Sequence, residues 1–238
     1  IKIMKYSIIV PIYISKENES ILNEYVIPCL DSIIEYTDLN NCEVILILNQ
    51  YTDNSLEKLK KYVSEYDFKM FCSKRGLGFP SAVNTGIKLS KGEYIILLND
   101  DCILLPQITN DWISQLVLPL ETDPEMGITG IHELFSDATQ DNFIVGYCMM
   151  IKKDVIKQIG LFDEIFNPGR GEDTDFCARA KKSGWKIKAV GPAHTITSNL
   201  HVGYFPIYHK GEATFDFIPD NLEGHNRNTN ILIEKYKS

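Results

Sequence analysis

The sequence predicts an α/β protein with a mostly parallel sheet covered by helices on both faces. Two observations favour this class: apolar strand-like runs alternate with segments of helical periodicity, and the runs are apolar throughout, as in strands buried on both faces. The chain has 238 residues, of which 44% are hydrophobic, enough for one large domain with an extended core.

The first two strands are predicted from short apolar runs. "YSIIVPI" (Tyr6–Ile12) and "EVILIL" (residues 43–48) are typical of fully buried strands. The stretch between them has apolar residues at roughly helical spacing and predicts a helix that is broken or kinked around Pro28. After the second run, residues 53–55 can cap a helix that continues to Tyr66.

The alternation continues to an unusual polar triplet. "KMFCS" predicts a strand, "KRGLGFP" a turn, "SAVNTGIKLS" a helix and "EYIILL" a further strand, which stops abruptly at Asn99, Asp100 and Asp101. Adjacent carboxylates repel each other, so water, a basic side chain or a metal ion is expected beside them. Ligands gather at the carboxyl ends of strands in such sheets, which is where this triplet falls.

The second half is less regular. Residues 112–120 predict a helix, "MGITGI" and "FIVGYCMMI" predict strands, and "KDVIKQIG" predicts a short helix that Gly160 closes. A glycine-rich loop, a helix from about Glu172 to Lys182 and a last strand follow, whereas the tail from Gly191 has no firm periodicity. Because no linker or internal repeat is visible, we interpret residues 1–238 as a single domain.

Acidic residues concentrate at the start of this late helix. Asp173 lies on the same helical face as the apolar stripe that begins at Phe176, so it is predicted to point inward. The positive end of the helix dipole favours its ionised form. A simple N-terminal capping role explains this placement equally well. Asp175, Arg179 and Lys182 share a different face, which we interpret as a solvated surface.

Bulk properties exclude several classes of function. The net charge of −8 argues against sequence-independent nucleic-acid binding, which needs a basic surface. No apolar stretch approaches the roughly 20 residues of a membrane span, and the N-terminus lacks a signal-peptide cleavage site, so we expect a soluble, cytoplasmic chain. The six cysteines are scattered without a C-x-x-C pair, which indicates free thiols in a reducing compartment. The oligomeric state is not predicted.

Four motifs together resemble a known family. "SIIVPIY", "SAVNTGIKLSKGEYIILLNDD", "VGYCMMIKKDVIKQIGLFDE" and "GEDTDFCARAKKSGW" occur in this order, and the chain from about residue 6 to residue 190 thereby resembles family 2 of the inverting glycosyltransferases. The resemblance implies a GT-A fold, in which a Rossmann-like nucleotide-sugar-binding half (about 1–101) is merged with an acceptor-binding half and tail (about 102–238). Single motifs of this kind are weak, whereas four in order form a specific pattern.

The implied activity is metal-dependent and inverting. A hexosyl or deoxyhexosyl group would move from a nucleoside diphosphate donor to a hydroxyl of a glycan, lipid-linked or protein acceptor, in polysaccharide biosynthesis. Asp101 would coordinate Mn²⁺ or Mg²⁺ at the donor diphosphate, with Asn99 and Asp100 in the same motif. Asp173 would be the general base and Glu172 a positioning residue beside it. Inversion in one displacement needs such a base away from the departing diphosphate.

The resemblance also implies donor-binding positions along the first half of the chain. Pro11 and Tyr13 match the first-strand motif near the nucleotide base, Asn49 matches a base-reading position, and Asn84 lies within the second motif. Arg75 could reach a diphosphate, although a solvated basic turn explains it at least equally well. Ordinary packing is the alternative for Pro11 and Tyr13.

The family often has a late histidine near the metal or diphosphate. His194, His201 and His209 all lie in the poorly matched tail, and the context "HKGEAT" favours His209. A surface histidine is nearly as good an explanation.

Two other functions are compatible with this type of fold. A sugar-nucleotide nucleotidyltransferase is disfavoured because no early glycine-rich loop with a basic residue follows the first strand. A catalytically silent carbohydrate-binding protein is disfavoured because Asp101 and Asp173 are both present, and a binding protein needs no base.

Overall fold

A computed structural model describes residues 4–191, 193–197, 200–202, 204–211, 213 and 221–237, and the side chains of 193–197, 200–202, 221 and 222 lie outside this description. Its strands are β1 (Tyr6–Ile12), β2 (Cys42–Asn49), β3 (Lys69–Ser73), β4 (Tyr94–Leu98), β5 (Cys102–Leu104), β6 (Met126–Gly130), β7 (Glu133–Ser136), β8 (Asp141–Ile144), β9 (Cys148–Lys152), β10 (Lys186–Ala189), β11 (Ala193–Thr197), β12 (Leu200–Val202) and β13 (Phe205–His209). Its helices are α1 (Ile27–Tyr36), α2 (Asp53–Tyr66), α3 (Phe79–Leu89), α4 (Asp111–Thr122), α5 (Lys153–Ile159), α6 (Glu172–Lys182) and α7 (Asn221–Tyr236).

A seven-stranded, mostly parallel sheet organises the chain, which confirms the predicted fold class. The strand order is β10-β6-β9-β4-β1-β2-β3, and β9 runs antiparallel to both of its neighbours, β4 and β6. The central strand β1 pairs in parallel with β2 and β4. Its residues are apolar on both faces because helices cover both faces.

The core consists of two layers, one on each face of the sheet. Alternate side chains of β1 enter opposite layers: Ile8 joins a cluster with Leu30 of α1 and Trp112 of α4, whereas Ile9 joins a cluster with Val83 of α3 and Phe176 of α6. All six side chains are fully buried. The prediction of helices on both faces is therefore confirmed.

The helix predicted around Pro28 is irregular, as expected. A π-helical turn over Leu22–Val26 leads into α1, where Pro28 occupies the first turn. A proline is tolerated there because its missing N–H has no partner within the helix.

The tail adds structure that its sequence did not predict. Strands β11 and β13 extend a second sheet of order β12-β11-β13-β5, in which His209 of β13 pairs with Cys102 of β5. Helix α7 covers the start of α6. The tail is thereby brought back to the polar triplet and to the acidic helix.

The solvated surface predicted for Asp175 is wrong. Asp175 is fully buried, and its carboxylate pairs with Arg179 Nε at 2.8 Å and with Lys235 Nζ of α7 at 2.9 Å. The Tyr236 hydroxyl also donates to Asp175 Oδ1 at 2.8 Å. This face of α6 is removed from water because α7 packs over it.

Two further expectations can be compared with the structure. All six cysteines are free thiols, and all except Cys72 are buried. Among the described residues, none of the helices combines the length and the apolar character needed to cross a bilayer.

Candidate active site

A cleft of about 240 Å³ opens at the carboxyl ends of β1, β2 and β4. Loop residues 145–147 and the first turn of α6 complete its wall. Most of the predicted site residues line it: Pro11, Tyr13, Asn49, Asn99, Asp100, Asp101, Glu172, Asp173 and His209. Side chains from both halves of the sequence therefore meet in one cleft.

The polar triplet is held in place by backbone contacts. The Asn99 N–H donates to Tyr147 O at 2.8 Å, and the Cys102 N–H donates to Asn99 O at 3.1 Å. Asp101 O accepts from the Lys210 N–H at 3.2 Å, which ties the triplet to the end of β13. This turn directs the Asp101 side chain into the cleft, where it is only 4% exposed.

Asp101 and His209 form a pair suited to a cation. His209 Nε2 lies 3.3 Å from Asp101 Oδ1, and neither atom has a hydrogen-bond partner among the described residues. Two ligands of one octahedral Mg²⁺-sized ion lie about 3 Å apart, given metal–oxygen distances of about 2.1 Å. The two side chains converge without bonding each other, as ligands of a shared ion would.

Neighbouring residues orient the histidine and weaken the case for a thiolate ligand. The Tyr147 ring stacks on His209 with centroids 3.8 Å apart and an interplanar angle of 8°. Cys102 has its Sγ near both ligand atoms, but its S–H donates to Tyr147 O at 3.5 Å, and burial raises the pKa of this thiol well above its usual range. Cys102 does not line the cleft, whereas Asp101 and His209 do, so a carboxylate oxygen and an imidazole nitrogen are the donors that face it.

Further orphaned polar atoms lie in the same cleft. Asn99 Oδ1 and Glu172 Oε2 are shielded from solvent and find no hydrogen-bond partner among the residues that the structure describes. Buried polar atoms are nearly always satisfied in folded proteins, so these atoms are positioned for a ligand. With Asp101 and His209, these atoms fit a cation or hydroxyl donors of a bound sugar.

Asp173 is preorganised at the start of α6. Its Oδ2 accepts from the Gly146 N–H at 3.2 Å, and its Oδ1 accepts from the Thr174 N–H at 2.7 Å. Desolvation raises the pKa of the Asp173 carboxyl, while these N–H donors oppose the rise. A half-buried carboxylate with a raised pKa can accept a proton.

Glu172 is the more deeply buried acid of the two. Desolvation first, and then the charge of Asp173, raises the pKa of the Glu172 carboxyl well above its usual range. Asp173 accepts backbone N–H donors on both carboxylate oxygens, whereas Glu172 Oε2 has no hydrogen-bond partner among the described residues. Burial therefore disfavours the ionised form of Glu172.

Helix α7 holds the loop that precedes these acids. Asn228 is 1% exposed and donates from Nδ2 to Phe166 O at 2.6 Å and to Gly169 O at 2.7 Å. Gly171 has a φ of +98°, and a Cβ there would meet Leu232 Cδ1 of α7 at 2.9 Å. Only glycine allows this close approach at that backbone conformation. The sequence analysis missed this support because α7 itself was not predicted.

One end of the cleft is built from β1, β2 and the following loops. Asn49 is 6% exposed, and its side chain accepts from the Leu77 N–H. A Cβ on Gly76 would lie 3.3 Å from the Tyr13 ring, so the loop packs closely against that ring. Asn49 and Tyr13 therefore shape one end of the cleft.

Two predicted positions, Arg75 and Asn84, do not line the cleft. Arg75 is exposed and does not line the cleft. Asn84 is 1% exposed, and its amide donates to Phe162 O and Glu164 Oε1, both at 2.9 Å. Its side chain thus holds the loop after α5. The side chains of His194 and His201 lie outside the described part of the chain.

Several lining residues were missed by the sequence reasoning. Apart from the predicted set, the cleft is lined by Ile12, Phe79, Val145, Gly146, Tyr147, Arg170 and Ala213. Gly146 and Tyr147 directly precede the apolar run "CMMI" in the sequence. They reach the cleft because β9 pairs with β4, and this pairing is not visible in the sequence.

Comparison with known proteins assigns the chain to a family. A family model described as "Glycosyl transferase family 2" matches residues 7–142, more than half of the chain. The chain belongs to glycosyl transferase family 2. Among curated relatives, the poly(ribitol-phosphate) beta-glucosyltransferase of Bacillus spizizenii is 34% identical over 103 residues, which are 41% of this chain and 15% of that protein. Glycosyltransferase GlyG of Streptococcus pneumoniae is 26% identical over 167 residues, or 70% of this chain and 50% of that protein.

Solved structures support the GT-A fold of this chain. A mannosyltransferase of Pyrobaculum calidifontis, in complex with GDP-Man and Mn²⁺, matches with a TM-score of 0.61 and 17% identity over 78% of this chain and 54% of that chain. S. aureus TarS 1-349 in complex with UDP matches with a TM-score of 0.60 and 15% identity over 98% of this chain and 70% of that chain. The chain spans half or less of the length of the two curated relatives.

Proposed function

We propose that the chain is a metal-dependent, inverting glycosyltransferase that moves a hexosyl or deoxyhexosyl group from a nucleoside diphosphate to an acceptor hydroxyl. The observation that carries the proposal is the grouping of the Asp101–His209 pair and the hydrogen-bonded Asp173 around one cleft. Family membership supports sugar transfer. The Asp101–His209 pair supports metal dependence, and the position of Asp173 supports base catalysis.

The cleft offers ligands for a Mn²⁺ or Mg²⁺ ion and for the donor. Asp101 and His209 would hold the cation, with Asn99 and Asp100 beside it, and the bound cation would neutralise charge on the departing diphosphate. Tyr13 and Asn49 would contact the nucleoside at the ends of β1 and β2. A mannosyltransferase with GDP-Man and Mn²⁺ among the structural neighbours supports this combination.

Asp173 would act on the acceptor. Its carboxylate takes the proton of the attacking hydroxyl as the acceptor oxygen bonds to the anomeric carbon, and the bond from that carbon to the diphosphate oxygen breaks with its electron pair. The Gly146 and Thr174 N–H groups orient the carboxylate for this transfer. With backbone donors on both of its oxygens, Asp173 is the better placed of the two acids to act as the base.

We place this activity in cytoplasmic polysaccharide biosynthesis. Curated relatives named poly(ribitol-phosphate) beta-glucosyltransferase and chondroitin synthase support action on a polymer. Buried free thiols fit a reducing compartment. The nucleotidyltransferase and silent-binder alternatives gain no support, because the family is one of glycosyl transferases and Asp173 is held ready as a base.

A donor screen tests the proposal. UDP-, GDP- and dTDP-sugars are incubated with the protein, with Mn²⁺ or with a chelator, and released nucleoside diphosphate is measured. We expect Mn²⁺-dependent hydrolysis of one donor. Failure of the chain to hydrolyse or transfer from any donor would contradict the proposed activity.

A further inference from the structure

A second, larger groove adjoins the catalytic cleft. It has a volume of about 920 Å³ and lies between the β7–β8 hairpin and α7, with the first turn of α6 beneath it. Ligand sites for drug-sized molecules occupy about 300–1,000 Å³, so this groove can hold more than one sugar ring. The sequence did not indicate it because one of its walls is α7.

The groove is continuous with the proposed reaction centre. Val145, Arg170 and Asp173 line both the catalytic cleft and this groove. A molecule lying in the groove therefore has one end at the Asp173 carboxylate, which the proposed mechanism requires of the acceptor hydroxyl.

Exposed apolar side chains stand on both walls. Leu134 is 44% exposed and is the cross-strand partner of Phe143 on the hairpin wall, and Ile233 on α7 is 42% exposed. Ser136, Gln140 and Thr229 add hydroxyl and amide groups to the lining of the same groove. Sugar rings match this mixture because their C–H faces are apolar and their edges carry hydroxyls.

The charges of the groove distinguish between acceptor chemistries. Its basic side chains are Arg170, Lys237 and His225, and Lys237 pairs with Glu234 at 2.7 Å. Asp137 and Asp173 lie in the same groove. A chain of phosphodiesters calls for a series of unpaired basic groups, and the described part of this groove offers no such series.

We propose that this groove binds the acceptor and that the acceptor is an uncharged oligosaccharide of at least two sugars. The inference rests on the proposed function. It assigns Leu134 and Ile233 to acceptor recognition, and it identifies α7 as one wall of the acceptor site as well as the support of the catalytic loop.

The test uses the donor identified by the hydrolysis screen. Neutral gluco-, galacto- and N-acetylglucosamine oligosaccharides of one to four sugars are offered beside a synthetic ribitol-phosphate oligomer, and transfer is followed by mass spectrometry. We expect transfer to a neutral oligosaccharide, with a KM that falls from the monosaccharide to the trisaccharide. Transfer to the phosphate-linked oligomer alone, or to none of the neutral saccharides, would overturn the assignment.

Paired variants locate the site. The double variant Leu134→Ala/Ile233→Ala should raise KM for the trisaccharide about tenfold, which corresponds to about 1.4 kcal/mol of lost contact. The matched control Leu118→Ala/Ile108→Ala removes the same two side-chain types at positions that are 60% and 83% exposed and outside the groove, and it should leave KM unchanged. Equal KM values in both double variants would show that the acceptor lies elsewhere. If the KM values are equal but the wild-type chain hydrolyses a donor, the proposed function still stands and only the acceptor site is wrong. If the wild-type chain hydrolyses no donor, the proposed function itself is contradicted.

Discussion

His209 Nε2 lies 3.3 Å from Asp101 Oδ1, although the two residues belong to distant parts of the sequence. The antiparallel pairing of β13 with β5 creates this contact by placing His209 opposite Cys102. The contact joins the polar triplet after β4 to the end of β13 in the tail.

Removing either side chain of this pair should weaken metal-dependent nucleotide binding. Asp101→Ala and His209→Ala should each lower the Mn²⁺-dependent affinity for the diphosphate of the identified donor by at least about tenfold, since even outer-shell changes at metal sites have effects of this size. Isothermal titration calorimetry with Mn²⁺ and with a chelator measures this. His194→Ala and His201→Ala serve as controls. Equal binding in chelator and in Mn²⁺ would rule out the metal role.

Asp173→Asn should separate binding from turnover. The amide cannot take a proton from the acceptor hydroxyl, so kcat should fall by about two to four orders of magnitude, the usual effect of losing a general base. Donor affinity should be retained because the cation ligands are unchanged. Steady-state kinetics and calorimetry give the two quantities. Near-normal transfer by this variant would move the base to another residue.

Glu172→Gln should stabilise the fold, and the gain should depend on pH. Burial raises the pKa of Glu172, so the folded state disfavours its ionised form. The stability associated with the protonated acid is present below the ordinary glutamate pKa and is lost as pH rises through the raised pKa. The variant should therefore gain in free energy of unfolding over wild type as pH rises. Urea unfolding across pH measures this.

A matched control makes the Glu172 result specific. Glu65 is exposed, so Glu65→Gln removes no buried carboxylate and serves as the control. A pH-independent difference between Glu172→Gln and wild type would contradict the raised pKa of Glu172.

Asp175→Asn should destabilise the docking of α7 on α6. The change removes a fully buried carboxylate from Arg179 and Lys235, whose side chains are 22% and 34% exposed. Because water can partly solvate the two cations left behind, we expect a loss of about 1–3 kcal/mol, in the range for hydrogen bonds to charged groups. Urea unfolding measures it. Asp154→Asn, which breaks an exposed pair with Lys157, should change stability by less than about 0.5 kcal/mol; equal effects would contradict the buried network.

Local patterns predicted the central part of the fold. Strands β1, β2 and β4 are apolar runs because helices cover both faces of the sheet, and this burial is visible in the sequence alone. The polar triplet after β4 lies at the cleft because the carboxyl end of a parallel strand is where ligands gather. These features depend on each segment's own composition and on chain order.

Helix α7 was not predicted because its sequence is a poor guide to its structure. Its 16 residues include Asn221, Asn226, Asn228, Asn230 and Gly224, all weak helix formers, and three of its apolar residues are adjacent rather than spaced along one face. Its contacts with α6 and with the loop that precedes α6 stabilise it. Asp175 was assigned to the surface for the same reason, since a single helix gives no sign of the helix that covers it.

The sequence by itself determined the α/β class, the order of the central elements, and the acids at Asp101 and Asp173 as candidates for metal binding and base catalysis. Only the tertiary structure decided that His209 lies beside Asp101 and that Asn84 holds the loop after α5, outside the cleft. It also decided that α7 supports the loop that precedes α6. The physical reason is that periodicity and capping record interactions within a segment. Ladder pairing and helix docking depend on backbone groups and surfaces from distant segments, which leave no periodic signal in either segment.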